Sequence, residues 1–226
     1  MQPASGQRAS GVDPAAVFPP RAGEDLRNVT FVVIDLETTG GSPGDAGITE
    51  VGAARFRGGD RLGTLSTLVD PGEPIAPLVT ALTGISDTMV AGAPPVAAVL
   101  PSLLEFIGDG VVVGHNVRFD LTFLNAALEI TRRPPLANPT VDTLPLARCL
   151  LVGEVANHRL GTIAQHLRAS TLPTHRALPD ALATADVLHA LLERAATYGV
   201  TTLGALMAFA GIESRSDRPA MEHQRV

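Results

Sequence analysis

The 226-residue sequence contains a single cysteine, Cys149, and no lysine. One thiol excludes an internal disulfide framework and any multi-cysteine zinc site, and it suits a reducing compartment, so a cytoplasmic protein is expected. With all 17 basic residues arginine, the P-loop lysine, Schiff-base lysines and the lysine of penicillin-binding sites are removed together. Long apolar runs are also missing, because Gly, Pro or a charge interrupts each stretch well before about 18 residues. The start, Met1-Gln-Pro-Ala-Ser-Gly, has no charged segment leading into an apolar one, so neither export nor a membrane partner is expected. A formal net charge of −6 gives no overall electrostatic footprint for nucleic acid. Such a partner has to be held locally, by arginine, metal ions or backbone amides.

What is present reads as a globular chain, 45% hydrophobic and 18% charged, long enough for one domain with additions. Residues 1–28 are rich in Pro, Gly, Ala and Ser and are expected to form a flexible N-terminal tail. The folded body spans 29–198, and 199–226 is expected to hold a short helix, over 201–212, followed by a flexible C-terminal tail. The run Phe31-Val-Val-Ile-Asp-Leu-Glu, closed by Thr-Thr-Gly-Gly, predicts a central strand buried on both faces. Strand-like runs over 48–57 and 61–69 flank Gly58-Gly59-Asp60 and predict a hairpin. After a Pro-rich loop over 70–77, helical spacing from Val96 to Ile107 predicts a helix that Pro101 kinks or delays, leading into a fourth strand at Val111-Val-Val-Gly. A helix from Val117, a short fifth strand around Thr140 and helical patterns over 144–151, 160–167 and 181–196 complete an α/β reading, a mixed five-stranded sheet with helices on both faces and no internal repeat.

The chemistry concentrates on carboxylates. Asp35 and Glu37 stand two apart at the end of the first strand, so the pleat puts both on one face. Asp120 precedes Phe123, Leu124, Ala127 and Leu128 on the apolar stripe of its helix, and a lone charge facing a core is costly. Asp180 repeats that placement at the start of the last long helix, with Pro179 before it and His175 five residues upstream. Four acids aimed inward match the charge of two divalent cations, and hard oxygen ligands favour Mg²⁺ or Mn²⁺.

The segments Asp35-Leu-Glu-Thr-Thr-Gly, His115-Asn-Val-Arg-Phe-Asp120 and His175-Arg-Ala-Leu-Pro-Asp180-Ala resemble the three motifs of DEDDh 3′-to-5′ exonucleases. The resemblance runs from about Thr30 to Leu192, in a DEDDh domain assigned to 29–198, and three ordered motifs are far more specific than one. It implies an RNase H-like fold in which Asp35, Glu37, Asp120 and Asp180 hold two Mg²⁺ or Mn²⁺ ions and His175 is the general base. The sister subclass places a tyrosine four residues before the last aspartate, where this chain has Arg176. Two departures are Pro179, where relatives often carry a polar residue, and Leu36 in the variable slot. The implied reaction is attack of water on the terminal phosphorus, releasing nucleoside 5′-monophosphates, with activity rising from mildly acidic to alkaline pH.

Candidate substrate contacts are Leu36 as an apolar wedge, Thr38, Thr39 and Asn116; the Thr-Thr-Gly-Gly run is equally a turn, and Asn116 is also an N-cap for the helix from Val117. Asp142 and Asp186 are read as a helix cap and a residue on another helix face, and His115 as a packed strand-end residue. Cys149 and Phe123 are assigned to packing. The expected substrate is single-stranded or frayed DNA 3′ ends, with RNA as the alternative within the family and a non-catalytic nucleic-acid-binding module as the alternative outside it. Expected partners are a DNA polymerase subunit, as for the proofreading ε type, or an excision-repair nuclease domain of GIY-YIG type.

Overall fold

The computed structural model describes residues 21–211. Five strands, β1 (Thr30–Thr38), β2 (Ile48–Arg57), β3 (Asp60–Leu68), β4 (Val111–Gly114) and β5 (Thr140–Asp142), form one sheet in the order β3-β2-β1-β4-β5. The first three are antiparallel, whereas β4 and β5 run parallel to β1. Eight helices complete the described chain: α1 (Pro77–Thr83), α2 (Asp87–Val90), α3 (Val96–Ile107), α4 (Arg118–Ile130), α5 (Thr143–Leu150), α6 (Leu160–His166), α7 (Ala177–Ala196) and α8 (Leu203–Gly211).

The pleat of β1 divides the core in two. Phe31 and Val33 join Val111, Val113, Leu146, Leu188 and Leu191 on the face covered by α5 and α7. Val32, Ile34 and Leu36 join Leu100, Leu103, Leu124 and Leu128 under α3 and α4. Because side chains alternate along a strand, Asp35 and Glu37 continue the Phe31–Val33 face, the one that α7 covers.

Several local expectations change. The expected tail over 1–28 divides: 1–20 lie outside the described residues, but 21–28 are bound into the fold. Arg21 pairs with Asp109 at 2.6 Å, the Leu26 N–H donates to Thr201 O, and the Leu203 and Gly204 N–H groups donate to Glu24 O and Ala22 O. Composition could not show this, because the pairing joins segments nearly two hundred residues apart. For the same reason α8 is part of the body, with Leu203 and Leu206 in the core, while the expected tail over 213–226 lies outside the described residues. The helix α3 starts at Val96 with Pro95 at its N-cap and runs through Pro101. The helix α7 begins four residues earlier than its apolar stripe suggests, and Pro179 falls in the first turn, where an N–H has no intrahelical partner. The short helices α1 and α2 were not anticipated; Leu78 and Leu82 of α1 are exposed, so no buried stripe announces it.

Candidate active site

The site begins where β1 turns from apolar to acidic. In the β1–β2 register Asp35 faces Gly52 and Glu37 faces Glu50. Gly52 is the opening that lets a helix approach: a Cβ there would lie 2.2 Å from the Ala177 carbonyl carbon and 2.3 Å from the Leu178 nitrogen. The first turn of α7 therefore rests on the β2 backbone, and Asp180, one turn in, reaches the β1 acids. One carboxylate oxygen from each of Asp35, Glu37 and Asp180 lies within 4.8 Å of the others.

Asp120 enters from the other helix. Asp120 is 5% exposed, and its carboxylate accepts the Leu36 N–H at 3.0 Å, so it is fastened to the β1 backbone beside Asp35. It stands outside the three-carboxylate group but close enough to act on it. Burial, then the charges of Asp120, Asp180 and Glu37, pushes the Asp35 carboxyl well above the usual range. Burial, then Asp180 and Glu50, raises Glu37 to about 7, and burial raises Asp120 to about 7 against two backbone hydrogen bonds that favour its charge. These acids are ionised at neutral pH only with difficulty unless cations compensate them. An all-oxygen donor set of this charge fits hard divalent ions and excludes the soft-metal sites that thiolates would build.

His175 sits on the loop before α7 with φ +58° and an exposed side chain. Left-handed backbone at a non-glycine residue persists where its neighbours over-determine it, and here both neighbours are fastened. The Thr174 N–H donates to Asp180 Oδ1 at 2.7 Å, and Arg176 and the Ala177 N–H are held by Glu50. A cleft of about 1260 Å³ opens onto His175 and Asp180, walled by Leu82, Asn116, Arg148 and Arg159.

The expected substrate contacts divide. Leu36 is 5% exposed within the α3–α4 core, so its side chain is not presented as a wedge; alternation sends it away from the Asp35–Glu37 face. The Thr38 hydroxyl donates to Gly40 O at 2.6 Å within the turn, and the Thr39 hydroxyl bonds Glu73 while accepting the Gly47 N–H, so both hydroxyls are already engaged by the protein. Asn116 lines the cleft, but with φ +66° it is not an N-cap: α4 is capped at Val117, and the Asn116 N–H donates to Asp142 Oδ1. Asp142 does cap α5 by accepting the Leu144 N–H, and Asp186 accepts the Thr171 N–H. His115 is a strand-end strut. Its Nε2 faces the His158 carbonyl, which can only accept, so Nε2 carries the proton and Nδ1 meets the Thr143 hydroxyl; burial lowers its pKa. Glu50 escaped the sequence reading. It is buried, at 4% exposed, and its signal is an acid set among Ile48, Val51 and Ala53 in a strand that should be apolar.

With this arrangement in view, comparison with known proteins decides the family: the model of the RNase T exonuclease family matches residues 32–188. The chain belongs to the RNase T exonuclease family. Among curated relatives, it is 45% identical over 205 residues to a putative bifunctional exonuclease/endonuclease protein of Mycobacterium tuberculosis, covering 86% of this chain and 31% of that protein. It is 40% identical over 170 residues to the DNA polymerase III subunit epsilon of Aquifex aeolicus, covering 75% of this chain and 84% of that subunit. A PolC-type DNA polymerase III of Oceanobacillus iheyensis is 40% identical over 173 residues, 76% of this chain but only 12% of the polymerase. The chain thus spans under a third of the first of these relatives and about an eighth of the polymerase. Among solved structures, exonuclease X in complex with 5′-overhanging duplex DNA superposes with a TM-score of 0.62 at 27% identity, over 80% of this chain and 99% of that one. Exonuclease I superposes with a TM-score of 0.67 at 20% identity, over 80% of this chain and 46% of that one, and shares the fold. The RNase T exonucleases generally use divalent metal ions, which the acid cluster could hold, and the mixed sheet with helices on both faces is their RNase H-like fold. No helix among the described residues is long and apolar enough to cross a membrane.

Proposed function

We propose that this chain hydrolyses phosphodiesters from the 3′ end of single-stranded or frayed DNA, releasing nucleoside 5′-monophosphates, in proofreading or repair within the cytoplasm. The observation that carries this reading is the group of Asp35, Glu37 and Asp180 oxygens within 4.8 Å, beside an exposed His175 at the mouth of an arginine-walled cleft. Asp35, Glu37 and Asp180, joined by Asp120, would hold two Mg²⁺ or Mn²⁺ ions, which when bound supply Lewis-acid stabilisation of charge on the phosphodiester. His175 takes the proton from the attacking water, and its exposure on a fastened loop leaves the imidazole free to do so. The guanidiniums of Arg148 and Arg159 track the phosphates of the strand, which reconciles a net charge of −6 with a polyanionic substrate. Leu82, exposed on the cleft wall, takes the apolar part first assigned to Leu36 and packs against the terminal base. The DNA assignment rests on the polymerase and exonuclease relatives, whose names also supply the candidate partners, a polymerase subunit or a second nuclease domain.

The test is degradation of 3′-labelled and 5′-labelled single-stranded DNA and RNA of one sequence with Mg²⁺ or Mn²⁺, comparing the native chain with Asp35→Ala and His175→Ala. A metal-dependent ladder shortening from the 3′ end on DNA, lost in both variants, is the expected result. Preference for RNA makes the chain an exoribonuclease, and silence on both polymers leaves a binding module.

A further inference from the structure

A fifth carboxylate stands in the site, and the structure gives it a different occupation from the other four. Glu50 faces Glu37 across the β1–β2 ladder, yet it is absent from the group of oxygens that converge. Its two oxygens are already engaged: Oε1 accepts from Arg176 Nη2 at 2.6 Å, and Oε2 accepts from Arg176 Nε at 3.0 Å and from the Ala177 N–H at 2.9 Å. The fork is bidentate and charge-assisted, and the third bond caps the first turn of α7 from a neighbouring strand. Arg176 pairs with Glu50 and offsets part of its charge, although Glu50 still raises Glu37, and the formal −4 of Asp35, Glu37, Asp120 and Asp180 is the balance for two divalent ions.

The residue between the two fastenings is His175. On one side Thr174 is tied to Asp180; on the other Arg176 and Ala177 are tied to Glu50; the left-handed backbone of His175 lies between them. We infer that the Glu50–Arg176 pair positions His175, fixing where the imidazole meets the attacking water without ligating metal. This rests on the exonuclease reading above and adds to it a pair of positioning residues.

The variants that separate the roles are Arg176→Lys, which keeps the charge but loses the planar fork, and Glu50→Gln, which keeps the shape and the acceptor for Ala177 but loses the ion pair. Each is assayed on a single-stranded DNA oligonucleotide with Mn²⁺, by calorimetric titration with Mn²⁺ alone, and by amide hydrogen exchange over 174–178. The expected result is a kcat lower by about 10- to 100-fold, KM and Mn²⁺ affinity within about twofold of native, and amide exchange at Ala177 faster by about tenfold. A Glu50→Gln chain that binds Mn²⁺ tenfold more weakly makes Glu50 a ligand and overturns the inference. A kcat within twofold of native in both variants overturns it too, by reducing the pair to a fold contact. Should Glu50→Gln fail to fold, Arg176→Lys carries the test by itself. If the native chain binds Mn²⁺ but degrades no DNA, the exonuclease reading fails on its own; unchanged exchange at Ala177 in Arg176→Lys would then overturn the clamp, and faster exchange would support it.

Discussion

Two helices enter the site with the same local signature, an aspartate in the first turn on the apolar side, and they are seated by different means. The start of α4 is seated by its side chains: Phe123 and Leu124 pack in the core, Asp120 accepts a β1 backbone N–H, and the loop before it hangs from Asp142. The start of α7 is seated by its backbone, which lies directly on β2 at Gly52 and is gripped by Glu50. Side-chain seating tolerates change, since side chains can re-pack; backbone seating does not. The proposed metal site is therefore expected to be most rigid at Asp180 and most adaptable at Asp120.

Substitution of one glycine at each mouth tests that contrast with the largest effect. Gly52→Ala forces a Cβ to 2.2 Å from the α7 backbone, and urea unfolding should show a loss of roughly 3 kcal/mol or more, with Mn²⁺ binding abolished. Gly114→Ala before α4 meets the Val117 side chain at 2.8 Å, and about 1 kcal/mol should be lost with binding retained. Equal losses would break the comparison.

Charge sharpens it next. Asp120→Asn keeps an oxygen for the Leu36 N–H and removes a buried charge, so the metal-free protein at pH 8 should gain on the order of 2 kcal/mol while Mn²⁺ affinity falls. A destabilised Asp120→Asn chain would show that the hydrogen bond to β1 needs the ionised group.

The pH dependence follows from the same acids. Glu37 and Asp120 are raised from 4.5 and 3.8 to about 7, so between those limits the folded protein binds more protons than the unfolded one. Stability of the metal-free chain therefore falls as pH rises from about 4 through about 7 and stays low above. Melting followed in a chelating buffer should show the decline, saturating Mn²⁺ should remove it, and Asp120→Asn should make it shallower while Glu37 keeps the rest. A metal-free melting temperature that climbs from pH 5 to pH 8 is the outcome that contradicts it.

The smallest effect belongs to the α4 mouth. Asp142→Ala removes the cap of α5 and the acceptor of the Asn116 N–H, costing about 1 kcal/mol in chemical unfolding while Mn²⁺ affinity stays within twofold. A tenfold loss of affinity would tie the Asn116 loop to the metal group after all.

Much of this was legible in the chain. The alternation that puts Asp35 and Glu37 together, and the stripes that put Asp120 and Asp180 inside, are periodicities of single elements, and periodicity survives in a sequence. The same alternation already turned Leu36 away from its neighbours, so its burial needed only the strand rule applied to the middle residue. Glu50 and Gly52 are different: their meaning depends on the β1–β2 register and on a helix that starts 127 residues beyond Glu50, and no local pattern carries that distance. The short α1 stayed hidden because its leucines face solvent. The binding of 21–28 to α8 stayed hidden because backbone pairing leaves little trace in side-chain composition.

That last pairing has an architectural consequence. The Ala22 carbonyl and the Gly204 N–H are 2.9 Å apart, so among the described residues the start and the end of the body adjoin at one doorway, with residues 205–211 of α8 following. A unit whose two joints adjoin can be spliced into a longer polypeptide as a cassette, with little demand on the host at either junction. The relatives span that range, from an epsilon subunit that is mostly this unit to a PolC-type polymerase in which it is 12% of the length.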